Sequence, residues 1–251
     1  GFLVATALAA GLTPVVRIIA RKWGAMDDPA SAPERKKQQQ PVPRLGGLAI
    51  IFTVITILLV SILTGTLPSS DISLRSIFGI IVAGLVIAII GALDDRYSLA
   101  TRWQFLGPIL AATIIVGSGI GVRFIANPFG GLLWLDHWNW KFFGVTIPMI
   151  GGIVTWLWLL GTMYTTKILD GIDGLFSGIG VIGAIIIFAL NLRPEVQQQG
   201  VGFLAMVLAG ACLGFLLYNW HPASIYLGES GSVFIGFLLG VLAVVSGGKI
   251  A

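Results

Sequence analysis

Apolar residues come in eight long blocks along this chain, at roughly 2–20, 46–66, 76–93, 104–120, 145–165, 175–192, 201–218 and 232–248, with polar breaks between them. Each block approaches the about 20 apolar residues that a helix needs to cross a bilayer core. Backbone N–H and C=O groups cannot go unpaired in lipid, so such blocks predict helices rather than open strands. The expected fold is all-α, a polytopic transmembrane helix bundle with about eight spans, forming a single integral-membrane domain over 1–251. The first block lacks a small-residue cleavage site before Arg21, so it reads as a true span rather than a signal peptide. The chain starts with Gly1 and stops at Ala251, just after an apolar block, and both ends read as cut.

Composition agrees with the pattern. The 251 residues are 56% hydrophobic and 10% charged, against about 25% charged in soluble domains. This leaves little room for a soluble domain. The net charge of +4 is small and gathered near one segment, which does not suggest a nucleic-acid partner. Cys212 is the lone cysteine, so no intrachain disulfide can form.

The breaks differ in charge. Those at 21–45, 94–103, 166–174 and 219–231 fall on one face and carry nine Lys/Arg, including Arg44, Arg96, Arg102 and Lys167. The other face carries five: Arg75, Arg123, Lys141, Arg193 and Lys249. The positive-inside rule makes the first face cytoplasmic and puts the N-terminus outside. The opposite face holds the longest break there, 121–144. Its Trp134, Trp138 and Trp140 suit an interfacial belt, and its Pro128 and glycines suit turns of a small hairpin. His137, far from the acids, reads as solvated.

The acids are one-sided too. Asp27, Asp28, Glu34, Asp94, Asp95, Asp170, Asp173 and Glu229, eight of the eleven, lie in the breaks of the cytoplasmic face. Acids near lipid are costly and usually functional. Asp94-Asp95-Arg96 places two carboxylates side by side, a repulsion that a cation or shared proton would relieve. Capping of the next span's helix is the competing explanation. In Lys167-Ile-Leu-Asp170-Gly-Ile-Asp173-Gly174, two acids three apart share a face if helical, and their oxygens suit Mg²⁺ and the phosphates it carries. A simple turn with Asp173 as N-cap of the sixth span competes. Gly228-Glu229-Ser230-Gly231-Ser232 reads as a glycine-rich loop offering N–H groups to an anion. His221, before a proline, reads as structural. Pro41-x-Pro-Arg44-x-Gly-Gly fixes an extended approach to the second span and sets Arg44 at the membrane surface, where arginine suits a phosphate.

In order and spacing, these motifs together resemble the polyprenyl-phosphate N-acetylhexosamine-1-phosphate transferase family, from about Asp27 to Gly236. The matching runs are Asp28-Pro29 with Arg35-Lys36 and Pro41-x-Pro-Arg-x-Gly-Gly, Asp94-Asp95, Asp170-Gly-Ile-Asp173-Gly, and Asn219-x-x-Pro-Ala leading to Gly228-x-x-Gly-Ser232. The His221-Pro222-Ala223 run is closer to the GlcNAc-type branch than to the MurNAc-pentapeptide branch. Family members have ten or eleven spans, of which eight are expected here.

The resemblance implies transfer of N-acetylhexosamine-1-phosphate, foremost GlcNAc-1-phosphate, from a UDP-sugar donor to a polyprenyl phosphate acceptor, releasing UMP, at a cytoplasmic site in a bacterial-type plasma membrane. The product would serve cell-envelope polysaccharide or peptidoglycan synthesis. The cofactor it implies is Mg²⁺, with Mn²⁺ as substitute. It casts Asp94, Asp95, Asp170 and Asp173 as catalytic, Glu229 and Asp170 as metal ligands, and Arg44, Arg102, Asn219, Gly231 and Ser232 as substrate- or phosphate-binding; Lys167, read from its charge, is expected to bind a phosphate or pair with a carboxylate. Membrane lipid and a homodimer partner are further expectations. Lys167 stands where the family usually has Asn, Tyr164 where another Asn is common, Glu229 where it has Asp, and Gln38 where it has His. A pentapeptide-sugar donor and a non-catalytic lipid-binding member are the alternatives these departures leave. A transporter would place acids inside spans or on both faces, and a CDP-alcohol phosphotransferase would need a longer Asp-Gly-x-x-Ala-Arg pattern.

Overall fold

A computed structural model describes residues 1–29, 40–68, 72–126, 131–135, 139–142, 145–194 and 196–250. Glu34, Arg35, Lys36, Gln38, Pro128, His137 and Trp138 lie outside the described residues.

Among the described residues the chain is a helix bundle. Its long helices are α1 (Phe2–Trp23), α2 (Gly47–Leu63), α3 (Leu74–Tyr97), α5 (Leu106–Gly117), α6 (Met149–Leu169), α7 (Leu175–Asn191), α8 (Gln199–Asn219) and α9 (Gly228–Ile250), with the single turn α4 (Thr101–Gln104) between α3 and α5. They follow the eight apolar blocks. Within them, Phe2–Trp23, Leu74–Tyr97, Gln199–Asn219 and Gly228–Gly247 are long and apolar enough to cross a membrane, and Gly47–Leu63 and Leu175–Asn191 are shorter apolar helices. The protein is a multi-pass membrane protein.

Three boundaries differ from expectation. The block 104–120 is not one long span: Phe105 separates α4 from α5, and α5 has 12 residues, about 18 Å of helix. The block 145–165 opens as a strand, and its helix starts only after Pro148. The last helix starts at Gly228, four residues before its apolar block. Short antiparallel pairs complete the molecule: β1 (Met26–Asp27) with β2 (Val42–Pro43), β3 (Phe124–Ala126) with β4 (Leu132–Trp134), and β5 (Asn139–Phe142) with β6 (Val145–Pro148). The last two are the hairpin expected of the 121–144 break, doubled.

Helix ends follow local chemistry. Arg21 and Lys22 sit in the last turn of α1, which Gly24 closes in the left-handed region at φ 76°, a conformation glycine adopts without strain. Ser73 caps α3, its hydroxyl accepting the Ser76 N–H.

α8 and α9 form the centre. They are apolar on nearly all sides, as buried helices are, and Phe215, Phe234 and Phe237 are fully enclosed. Close approach depends on small residues, the usual basis of helix packing in lipid. Gly210 and Gly214 of α8 lie against Ala5 and Ala9 of α1, and Gly236 and Gly240 of α9 against Thr166 and Thr162 of α6. The antiparallel order brings the breaks 24–27, 42–47, 94–104, 167–174 and 219–229 to one end of the bundle, where hydrogen bonds join them.

Candidate active site

The approach to α2 is a fixed extended segment. Arg44 N–H donates to the Ala25 carbonyl at 3.1 Å, Tyr226 N–H to Pro43 at 2.7 Å, Gly46 N–H to Tyr226 at 2.9 Å, and Gly47 N–H to Leu227 at 2.7 Å. Pro41 and Pro43 hold the backbone extended. The Arg44 guanidinium is thereby set between two carboxylates, 3.8 Å from Asp95 and 3.7 Å from Asp27.

α3 runs on through Asp94-Asp95 to Tyr97, and successive helical residues point about 100° apart. The pair therefore divides. The Asp95 side chain is inaccessible to solvent. It accepts the Glu229 N–H at 2.9 Å, capping α9 from another helix. A carboxylate is favourable at a helix N-terminus. Capping does occur, but of the last helix rather than of the next span. Asp94 turns the other way and accepts the Leu99 N–H at 2.8 Å and the Gln104 side-chain amide at 3.0 Å.

Gln104 carries the site onward. Its Oε1 accepts from Lys167 Nζ at 2.8 Å, and the same Nζ is 2.6 Å from Glu229 Oε1. Asp94, Gln104, Lys167 and Glu229 thus form one polar line across α3, α4, α6 and α9. Gln104 escaped sequence reasoning because it sits at the edge of an apolar block and belongs to no motif. Below the line, Ile87, Ile90, Gly107, Pro108 and Val233 form a narrow apolar slot that opens at Asp94, Gln104 and Glu229.

The two acids of the Asp-Gly-Ile-Asp-Gly run do not share a helix face, because α6 ends at Leu169 and α7 starts only at Leu175. Asp173 accepts the Ala223 N–H at 3.1 Å and pairs with His221 Nδ1 at 3.0 Å. It is not the N-cap of α7; Gly174 holds that position, at φ 70°. Asn219, 5% exposed, is engaged at both ends of its amide. Its Oδ1 accepts from Gly174 N–H and the Ser177 hydroxyl, and its Nδ2 donates to Ile225. It braces α7 against the 219–227 turn rather than facing a phosphate. Asp170 differs from both. Its carboxylate accepts no hydrogen bond among the described residues, and burial pushes it up to about 7, with Arg44 lowering it and Glu229 raising it further. Burial, with the charges of Asp173 and Asp27, raises the Tyr226 hydroxyl as well.

The Gly228–Ser232 run is the first turn of α9, not a loop cradling an anion. Gly231 packs on Gly47, where a Cβ would come within 2.6 Å of the Gly47 Cα, and the Ser232 hydroxyl bonds back to Gly228 at 3.1 Å. Both residues serve packing, and Asp95 already takes the Glu229 N–H. Arg102 is exposed on α4, 5.9 Å from the Trp103 ring centre. Tyr164 packs on Phe105 with ring centres 4.9 Å apart, and its hydroxyl is buried without a hydrogen-bond partner among the described residues.

Among the described residues no three His, Cys, Asp or Glu side chains gather as a ready metal cage. Mg²⁺ is commonly held by one or two carboxylates plus substrate phosphates. Asp170, which accepts no hydrogen bond among the described residues, and Glu229, whose charge it feels, fit an ion that brings its own phosphate ligands.

Residues 77–247 match the model of glycosyl transferase family 4. The chain is 32% identical over 243 residues to the probable undecaprenyl-phosphate N-acetylglucosaminyl 1-phosphate transferase of Bacillus subtilis, covering 97% of this chain and 61% of that protein. It is also 32% identical over 243 residues to the decaprenyl-phosphate N-acetylglucosaminephosphotransferase of Mycolicibacterium smegmatis, covering 94% and 57%. The phospho-N-acetylmuramoyl-pentapeptide-transferase of Desulforudis audaxviator is more distant, 27% identical over 238 residues, covering 86% and 66%. The chain thus spans about three-fifths of the length of the first two relatives.

Proposed function

The chain belongs to glycosyl transferase family 4, and on that premise we propose that it transfers N-acetylglucosamine-1-phosphate from a UDP-sugar to polyprenyl phosphate, releasing UMP. The observation that carries this reading is the Lys167–Glu229 pair beside Asp94 and Gln104 at an apolar slot, with Asp170 within electrostatic reach of both Glu229 and Arg44. Two anions, one lipid-borne, must meet for this reaction, and the cluster offers cations, a carboxylate able to take a metal, and an apolar wall together. The names of the relatives in Bacillus and Mycolicibacterium favour GlcNAc and a long prenyl acceptor.

Arg44 is our candidate for holding the diphosphate, its guanidinium kept in place by Asp95 and Asp27. Such charge-assisted contacts to phosphate are the stronger kind of hydrogen bond. Asp170 and Glu229 are the proposed ligands of Mg²⁺, which when bound would neutralise the diphosphate and stabilise UMP as leaving group. Asp94, which lines the slot with Gln104 and Glu229, is our candidate to border the acceptor phosphate. A phosphate oxygen is already anionic, so its in-line attack needs no base. Asp95 and Asp173 act through position: one fixes the start of α9 and so Glu229, the other fixes the 221–223 turn. The nine Lys/Arg in the sequence breaks assigned to this face, against five in the others, support a cytoplasmic site.

The test is UMP release by the full-length protein with polyprenyl phosphate and Mg²⁺. UDP-GlcNAc is given in one arm and UDP-MurNAc-pentapeptide in the other. Release from UDP-GlcNAc alone is expected. Release only from the pentapeptide donor would reassign the substrate, and no release from either would leave a non-catalytic lipid-binding member.

A further inference from the structure

Lys167 sits where a cation at Glu229 would be expected. Its Nζ is 2.6 Å from Glu229 Oε1, and the two side chains are only 25% and 14% exposed. Water therefore screens the pair poorly. A second acceptor fixes the ammonium: Gln104 Oε1 at 2.8 Å. Gln104 cannot easily let go, because its own amide donates to Asp94 Oδ1 and to the Leu99 carbonyl, both at 3.0 Å. Those contacts fix its flip state, with the oxygen toward Lys167. An ammonium has three donors and no acceptor, and two of its three are aimed by this arrangement. The carboxylate it meets belongs to a residue whose backbone is pinned in turn by Asp95.

We propose that Lys167 is a tethered counter-cation of Glu229: it holds that carboxylate while no diphosphate is bound, and a divalent cation arriving with its diphosphate displaces it onto the diphosphate. This rests on the transferase reading for the identity of the anion, but not for the pairing itself. Two physical consequences follow. A dication entering beside a fixed ammonium meets repulsion and a carboxylate already neutralised, so free metal binds weakly. The diphosphate removes both obstacles, by supplying oxygen ligands and by accepting the released ammonium. Metal and nucleotide then bind as a coupled pair, each strengthening the other by the same factor. The Gln104 tether keeps the ammonium within reach during the exchange and links it to Asp94 on the acceptor side.

The test is Mn²⁺ binding to the full-length protein in nanodiscs, followed by electron paramagnetic resonance, with and without UDP and without any acceptor. Removing the charge by Lys167→Met is expected to tighten Mn²⁺ binding without UDP by about tenfold or more. Lys167→Arg is expected to stay close to wild type. UDP should strengthen Mn²⁺ binding more in the wild type than in Lys167→Met. Lys167→Gln, also neutral, carries the same expectation should the Met variant fold poorly. Unchanged or weaker Mn²⁺ binding in the neutral variants would overturn the proposal, as would no Mn²⁺ binding by any form. Because nothing turns over, this outcome is separate from UMP release. Tightened Mn²⁺ binding in a protein that releases no UMP would sink the transferase reading and leave the counter-cation in place.

Discussion

The two sides of the site treat their acids differently. On the α7–α8 side, Asp173 accepts from Ala223 N–H and pairs with His221, and Asn219 uses both ends of its amide on neighbouring chain segments. On the α3–α6–α9 side, Asp170 has no hydrogen-bond donor among the described residues, and Glu229 meets only a lysine side chain held by Gln104. Asp170 and Asp173 belong to one motif three residues apart, yet one stays available to a ligand and the other is part of the scaffold. The adjacent Asp94 and Asp95 differ in another way: both accept hydrogen bonds, but only Asp95 is closed off from solvent. Membership of a motif therefore says little about which acid touches substrate; what each carboxylate already accepts says more.

The largest expected effect is at Asp170. Asp170→Asn should lower UMP release by about a thousandfold or more, in line with loss of an electrostatic group acting on the reacting phosphates, without lowering the melting temperature of the purified protein. A comparable fall in melting temperature would place Asp170 with the scaffold and erase the contrast. Next is Asp95→Ala, which strips the cap from α9 and leaves Arg44 with one carboxylate. A stability loss of about 3 kcal/mol is expected, as when one partner of a buried ion pair is removed, read as a shift in the unfolding midpoint in mild detergent. Asp95→Asn should recover part of it, because the amide oxygen still accepts the Glu229 N–H. Asp173→Ala should cost about 1.5–3 kcal/mol, the range for hydrogen bonds to a charged group, with most UMP release restored at low temperature. His221 is 81% exposed in its pair with Asp173, so His221→Ala should change stability by less than about 0.5 kcal/mol.

A pH dependence separates the two sides as well. The carboxyl of Asp170 rises from 3.8 to about 7 on folding, chiefly by burial. Between those values the folded state binds more protons than the unfolded state, so stability falls as pH rises through that window and levels off above it. Asp170→Asn should flatten the slope between pH 5 and 7 in melting curves without metal or donor. An unaltered slope would mean that another group titrates there.

Much of this molecule could be read from its sequence, and the exceptions are instructive. The bundle was legible because lipid demands continuous apolar helices, and each predicted span has its helix. The breaks betrayed their chemistry because acids beside lipid are rare. What stayed hidden depends on three-dimensional neighbours. Gln104 carries no periodicity or motif, and only the fold brings it to Lys167. Gly231 and Ser232 looked like an anion loop, since glycine next to serine suits both a cradle and a tight helix crossing. The contact with Gly47 decides for the crossing. The capping role of Asp95 links α3 to a helix 134 residues onward, a distance no local pattern spans. Asp170 and Asp173 would share a face only if the run were helical, and the end of α6 at Leu169 shows that it is not.

The most direct measurement compares UMP release from UDP-GlcNAc by the full-length wild type, Asp170→Asn and Asp173→Asn. It needs polyprenyl phosphate, Mg²⁺ and a temperature at which all three remain folded. The account predicts release by the wild type, at least about a thousandfold less from Asp170→Asn, and more than about a tenth of wild-type activity from Asp173→Asn, whose contacts an amide largely preserves. Activity lost in Asp173→Asn but kept in Asp170→Asn would contradict it, and so would a wild type that releases no UMP.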